Sequence, residues 1–275
     1  MELTKPLNAP EPPTAEELDK ERKQSRLKKL GAPLIPLAVL ASKAKLLFLA
    51  LIKIKAVATL GTMFISIAAY TLAFGWPFAV GLVLLLFVHE MGHVIQLRRE
   101  GVEASAPVFI PFLGAMISAK SLGEDAAAEA RVGLAGPILG TIGTLIPLAI
   151  YLATDSDLWR ALAYLGFFIN LINLLPVLPL DGGRAMAVLG PKVWLAGILL
   201  TVAATVIFLG PFMLLFVALF GGPELYYRFK NRHSEESRAF HSVPTRTKVA
   251  VGVVYLTLAA LLIAGVAETY VPRTL

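Results

Sequence analysis

Within the stretch Trp76 to Arg99, WPFAVGLVLLLFVHEMGHVIQLRR, three side chains have the types and spacing for metal chemistry: His89, Glu90 and His93. On a helix, residues four apart are separated by only about 40° around the axis, so His89 and His93 project from one face, one turn apart. Two neutral imidazoles so placed supply two corners of a tetrahedral zinc site, and Glu90, beside the first, can reach a water on the ion as general base. Zinc lowers the pKa of such a water to about 7, so a nucleophile exists at neutral pH even where bulk water is scarce.

The surroundings strengthen a motif that is short enough to arise by chance. Trp76 to Val88 carries no charge, and the segment returns to residues that want water only at Arg98 and Arg99. It reads as a membrane-crossing helix. Burying three ionisable side chains in hydrocarbon costs several kcal/mol unless something compensates, and a metal with a third protein ligand is the simplest compensation.

The elements that position these residues belong to a membrane protein. Of 275 residues, 57% are hydrophobic and 16% charged, with no cysteine, so disulfides and thiolate metal sites are excluded and histidine and carboxylate remain as ligands. The mean hydropathy of +0.73 is too apolar for a soluble globular domain. The formal charge of +6 flanks the apolar runs, which fits topology signals beside anionic lipid and not a nucleic-acid surface.

Taken in order, residues 1–32 form a polar, basic tail with no signal-peptide pattern, opened by Pro6, Pro10, Pro12 and Pro13 and expected in the cytosol. Residues 33–55 alternate lysines with the apolar LLFLALI and read as an interfacial helix. Confident spans are expected at about 56–75 and 76–97, the second returning to the cytosolic side at Arg98 and Arg99. Residues 102–119, VEASAPVFIPFLGAMISA, are apolar but short and broken by Pro107, Pro111 and Gly114. They read as a re-entrant, hairpin-like segment whose strand could bind an extended peptide by edge addition, with Pro107, Phe109, Ile110, Gly114, Ala115 and Met116 as the substrate-binding positions.

After Arg131 a third span is expected at about 132–153, with Gly136 and Gly140 in a helix-packing spacing. A fourth, about 158–178, carries Asn170 and Asn173 as amides in hydrocarbon, then Pro176 and Pro179, and delivers Asp181 with Gly182 and Gly183 to a depth like that of His93. A His, His, Asp site with one open position for water then closes across two helices. Residues 191–227 hold one or two accessory spans, 228–248 form a basic cytosolic loop, and 249–275 carry a last span, about 249–267, and the C-terminal tail.

VHEMGH followed by NLLPVLPLDGG resembles the site-2 protease family of intramembrane zinc metalloproteases, whose marks are HExxH in one span and NxxPxxxLDG in a later one. Here they stand at His89 to His93 and Asn173 to Gly182, and the resemblance covers roughly residues 56–190. It implies a three-span catalytic core around one zinc ion, with His89, His93 and Asp181 as ligands, Glu90 as catalytic base and Asn173 near the substrate or oxyanion. The family's PDZ domain between the motifs and its terminal CBS pair are missing, so a compact form is expected.

The fold expected is all-α and polytopic, with six to seven transmembrane helices and the re-entrant hairpin-like segment beside an intramembrane zinc site. The partners expected are a transmembrane helix of a protein substrate, unwound near Gly, Pro or Asn, and the bilayer, with no nucleic acid and an oligomer left open. The location expected is a prokaryotic plasma membrane, with the active site toward the cytosol. A silent zinc-binding scaffold and, less favoured, a metal-ion transporter are the competing readings; the latter needs no Glu90 and more polar residues toward the outer face.

Overall fold

A computed structural model describes residues 57–119, 121–189, 222–231 and 234–271, with isolated positions at 16, 20, 197, 199, 202, 203, 215 and 219. The chain divides into two compact units, 1–54 and 55–275, and the elements below belong to the second. Most of the polar tail, the interfacial helix at 33–55 and most of the accessory region 191–221 lie outside the described residues.

Helix α1, Val57–Phe74, is separated from α2, Trp76–Arg99, by Gly75, whose φ of 81° suits a residue without Cβ. Pro77 follows in the first turn of α2, where a missing N–H costs nothing. Helix α3, Ala126–Thr154, starts earlier than the apolar run that betrays it. Asp125 caps it, its carboxylate accepting from the Ala128 amide at 2.7 Å, and an alanine-rich first turn follows, so Arg131 lies inside the helix and not before it.

Helix α4, Asp157–Asn173, is shorter than the span expected at 158–178. Pro176 and Pro179 lack amide hydrogens and push the residues before them out of the helical region, so the chain turns at 174–180 and resumes as α5, Asp181–Ala187. The second half of the chain adds α6, Gly222–Lys230, α7, Glu235–Phe240, and the long α8, Thr245–Thr269. Among the described residues, α1, α2, α3 and α8 are long and apolar enough to cross a membrane. The architecture is therefore mostly helical.

The short segment between α2 and α3 is a β-hairpin, β1, Val108–Ile110, pairing antiparallel with β2, Gly114–Met116, in the register Val108 to Met116, Phe109 to Ala115 and Ile110 to Gly114. Helix α1 holds it through side chains. Thr59 donates to the Pro107 carbonyl at 2.8 Å, Phe109 N–H donates to the Thr62 hydroxyl at 3.2 Å, and Phe112 N–H to the Tyr70 hydroxyl at 3.0 Å. Phe109 is buried and stacks on Phe87 of α2, two residues before His89.

One apolar core joins α3, α4, α5 and α8 through Leu134, Phe167, Val188 and Leu262; a second joins α1, α2, β1 and α4 through Tyr70, Val83, Phe109 and Leu162. The histidines lie where α2, α3 and α4 meet.

Candidate metal centre

His89 and His93 occupy one face of α2, with ring centroids 5.0 Å apart and nearly perpendicular. Asp181 approaches from the start of α5. Its Oδ2 lies 3.1 Å from His89 Nε2 and 3.2 Å from His93 Nε2, and the two Nε2 atoms are 3.3 Å apart. Three side chains separated by 92 residues of sequence thus bring one donor atom each to a common point.

The other ring nitrogens decide what those atoms are. His89 Nδ1 lies 2.8 Å from Asn170 Oδ1, and the Asn170 amide nitrogen is already donating to the Gly166 carbonyl at 2.7 Å, so the oxygen faces the ring and accepts. His93 Nδ1 lies 2.8 Å from the Val132 carbonyl oxygen. Each Nδ1 therefore carries the proton, and each Nε2 of a neutral ring presents a lone pair. With both rings neutral, two lone pairs and a carboxylate oxygen converge with no proton between them. Such a triangle repels itself unless a cation occupies its centre or the rings take up protons.

The dimensions suit a metal. Four ligands about 2.0–2.1 Å from a tetrahedral zinc ion stand roughly 3.3 Å from one another, and the observed edges are 3.1, 3.2 and 3.3 Å. Space is reserved on the α3 side. A Cβ on Gly136 would collide with the Nε2 atoms of both histidines, and one on Gly140 would collide with the Asn170 amide. Close approach is general here. Gly92 meets the backbone of Ala135 and Gly136, while Gly182 and Gly183 fold against the backbone of Leu174, Leu175, Val177 and Leu178, which lets α5 turn back toward the histidines.

Glu90 is half-buried next to His89, and its carboxylate interacts electrostatically with His93, His89 and Asp181. Asn173 donates to the Ile169 carbonyl at 3.1 Å, one turn back on its own helix. The amide that touches an imidazole is Asn170, which the sequence marks only as a polar group in hydrocarbon. Its signal was the cost of a buried amide, but two asparagines three residues apart share that signal. Gly136 and Gly140, expected as helix-packing residues, also make room for the rings and for the Asn170 amide.

Of the hairpin positions, Pro107 and Phe109 are buried, Ile110, Gly114 and Ala115 are half-buried, and Met116 is exposed. The outer edge of β1 is occupied by Thr59 and Thr62 of α1.

Residues 77–156 match peptidase family M50. A zinc metalloprotease of Methanocaldococcus jannaschii is 31% identical over 121 residues, 40% of this chain and 35% of that protein. A Synechocystis protein named as a zinc metalloprotease is 31% identical over 126 residues, 41% of this chain and 32% of its own length. One from Mycobacterium tuberculosis, named likewise, is 35% identical over 115 residues, 38% of this chain and 29% of its own. The chain spans about a third of the length of these curated relatives.

Proposed function

Because residues 77–156 match peptidase family M50, we propose that this chain is an intramembrane zinc metalloprotease that hydrolyses peptide bonds within transmembrane segments of membrane-protein substrates. The observation that carries the reading is the convergence of His89 Nε2, His93 Nε2 and Asp181 Oδ2 to within 3.3 Å of one another, with both Nδ1 atoms engaged elsewhere. In this reading they hold one zinc ion per chain. Bound there, zinc supplies Lewis acidity, making an attacking water acidic near neutral pH and polarising the scissile carbonyl.

The chain's own groups do the rest. Glu90 takes the proton from the attacking water and passes it to the leaving amine. Asn170 and the Val132 carbonyl fix the two rings by their Nδ1–H groups, keeping both Nε2 atoms free for the ion. Asn173 has a second amide hydrogen beyond the one given to Ile169, and we assign it to the substrate carbonyl. With β1 engaged by α1, the β2 edge at Gly114 to Met116 is the one without a strand partner among the described residues, and we assign it to an extended substrate. A substrate helix has to unwind before it can pair there, which favours Gly, Pro or Asn near the cut.

We further read 56–190 as the catalytic core, with residues 1–32 and 228–248 on the cytosolic face and six to seven spans in all. Arg98 and Arg99 end α2, Arg131 lies near the start of α3, and Arg246 and Lys248 open α8, so basic residues gather at helix ends of one membrane face. The setting inferred is a prokaryotic cell membrane.

The test uses purified full-length chain, elemental analysis, and cleavage of a membrane-embedded peptide. About one zinc per chain is expected, and Glu90→Gln should keep the metal while slowing cleavage by a factor of about 10² to 10⁴. Unchanged cleavage in Glu90→Gln would sink the mechanism, and stoichiometric zinc without cleavage in either form would make the chain a scaffold.

A further inference from the structure

A groove of about 520 Å³ opens between α2, α3 and α8, on the far side of the Gly92 and Ala135 contact from the imidazoles. Its floor is apolar, with Leu134, Ile138, Leu139, Val251 and Val254. Its mouth is not. Arg99, Gln96, Arg131 and Thr247 line that end.

Among the described residues, the charge at the mouth is unbalanced. Glu100 is engaged by Arg131, accepting from Nε at 2.7 Å and Nη2 at 2.8 Å, and by Gln96 at 2.6 Å. Arg99 pairs with no carboxylate among the described residues, and neither do Arg246 and Lys248 beside Thr247. Arg131 keeps its Nη1 out of the Glu100 pair. The first turn of α8 has no side-chain cap, so its amides add positive potential at the same end. From Arg99 to Gly92 the groove descends roughly 10 Å along α2, which suits a headgroup at the top and an acyl chain below. The volume is that of a small-molecule site.

We propose that this groove binds one anionic phospholipid, its phosphate on Arg99 and Arg131 and an acyl chain along Ile138, Leu139 and Val254. Among the described residues, the excess of cations without a carboxylate partner selects a headgroup with net negative charge over a zwitterionic one. The apolar floor selects a lipid over a free anion. Nothing in this site depends on the hydrolytic reading, since none of these side chains is assigned to the zinc or the substrate.

Binding to purified full-length chain in detergent is measured by native mass spectrometry, with phosphatidylglycerol and phosphatidylcholine of identical chains as probes. Phosphatidylglycerol should bind at least fivefold more tightly, and Arg99→Gln should remove about fivefold of that, the equivalent of roughly 1 kcal/mol per basic residue near a membrane surface. Ile138→Trp, which fills the floor and leaves the mouth intact, should weaken both lipids. Equal affinity for the two lipids, indifference to Arg99→Gln, or competition by glycerophosphoglycerol at the same concentration as the lipid would each overturn the proposal. A second measurement identifies the occupant in a bilayer. The chain has no cysteine, so Ile138→Cys carries a single photoreactive label, expected to recover a lipid adduct in phosphatidylglycerol nanodiscs. Recovery of a peptide from this chain or a second copy would overturn it.

Discussion

Helix α3 borders two charged constellations of opposite design. Near its start, the exposed Arg131 meets Glu100 in a two-pronged pair at 2.7 and 2.8 Å, with donors and acceptors matched inside the protein. Little more than one turn further in, Gly136 faces His89 and His93, which with Asp181 bring three acceptors together while the Nδ1 donors point away. The first arrangement is complete as it stands. The second is satisfied only by a cation or by added protons, and that difference is what separates a structural ion pair from a site. An ion pair between Arg184 and Glu129, 3.8 Å apart, ties α5 to α3 beside the second.

The largest effects should come from breaking the incomplete constellation. Asp181→Ala removes one corner, and zinc affinity should fall by more than the roughly 100-fold that outer-shell changes cost, with cleavage at background; equilibrium dialysis against a zinc chelator measures it. Retained stoichiometric zinc would mean the two helices do not share an ion. Gly136→Ala should be nearly as severe, because its methyl group would occupy the space beside both Nε2 atoms. It should lose zinc while the Glu100 to Arg131 pair, more than a helical turn away, stays formed. If Gly136→Ala binds zinc normally, the space it leaves serves only packing.

The contrast also explains what the sequence displays. His89, Glu90 and His93 stand out because ionisable groups inside an apolar run are costly, and Asp181 stands out because it follows two prolines that end a helix. The hairpin at 102–119 is legible from length and breakers, and its register follows from the turn at Phe112 and Gly114. Less legible is anything that depends on helix phase. Asn170 and Asn173 have the same chemistry, and only the rotation of α4 against α2 decides which one reaches His89. The start of α3 is hidden for another reason: hydropathy begins after Arg131, at 132, whereas Asp125 and the alanines that follow start the helix six residues earlier, at Ala126. Gly136 is a small residue in a packing motif by sequence, and its facing of two imidazoles exists only in three dimensions.

Phase is itself testable, at intermediate magnitude. Asn170→Ala removes the acceptor that holds His89 Nδ1–H and should lower zinc affinity by about 10- to 100-fold. Asn173→Ala should leave zinc affinity unchanged and lower kcat with a membrane substrate. The reverse pattern would assign the orienting role to the wrong asparagine.

The smallest effect belongs to the complete constellation. The Glu100 carboxyl is held below its ordinary range, first by the hydrogen bond from Arg131 and then by that from Gln96, against the opposing effect of partial burial. A carboxyl depressed in the folded state stabilises it at pH above the unfolded value, about 4.3, and that stabilisation is lost as pH falls through the folded value. Glu100→Gln should therefore cost at most about 1 kcal/mol near neutral pH, since the Arg131 side is largely exposed and screened. The gap between wild type and variant should narrow in denaturant titrations carried below the ordinary carboxyl range. Zinc content should match wild type throughout. A variant that lost zinc, or a gap that widened in acid, would mean that the pair and the acceptor triangle are one coupled unit.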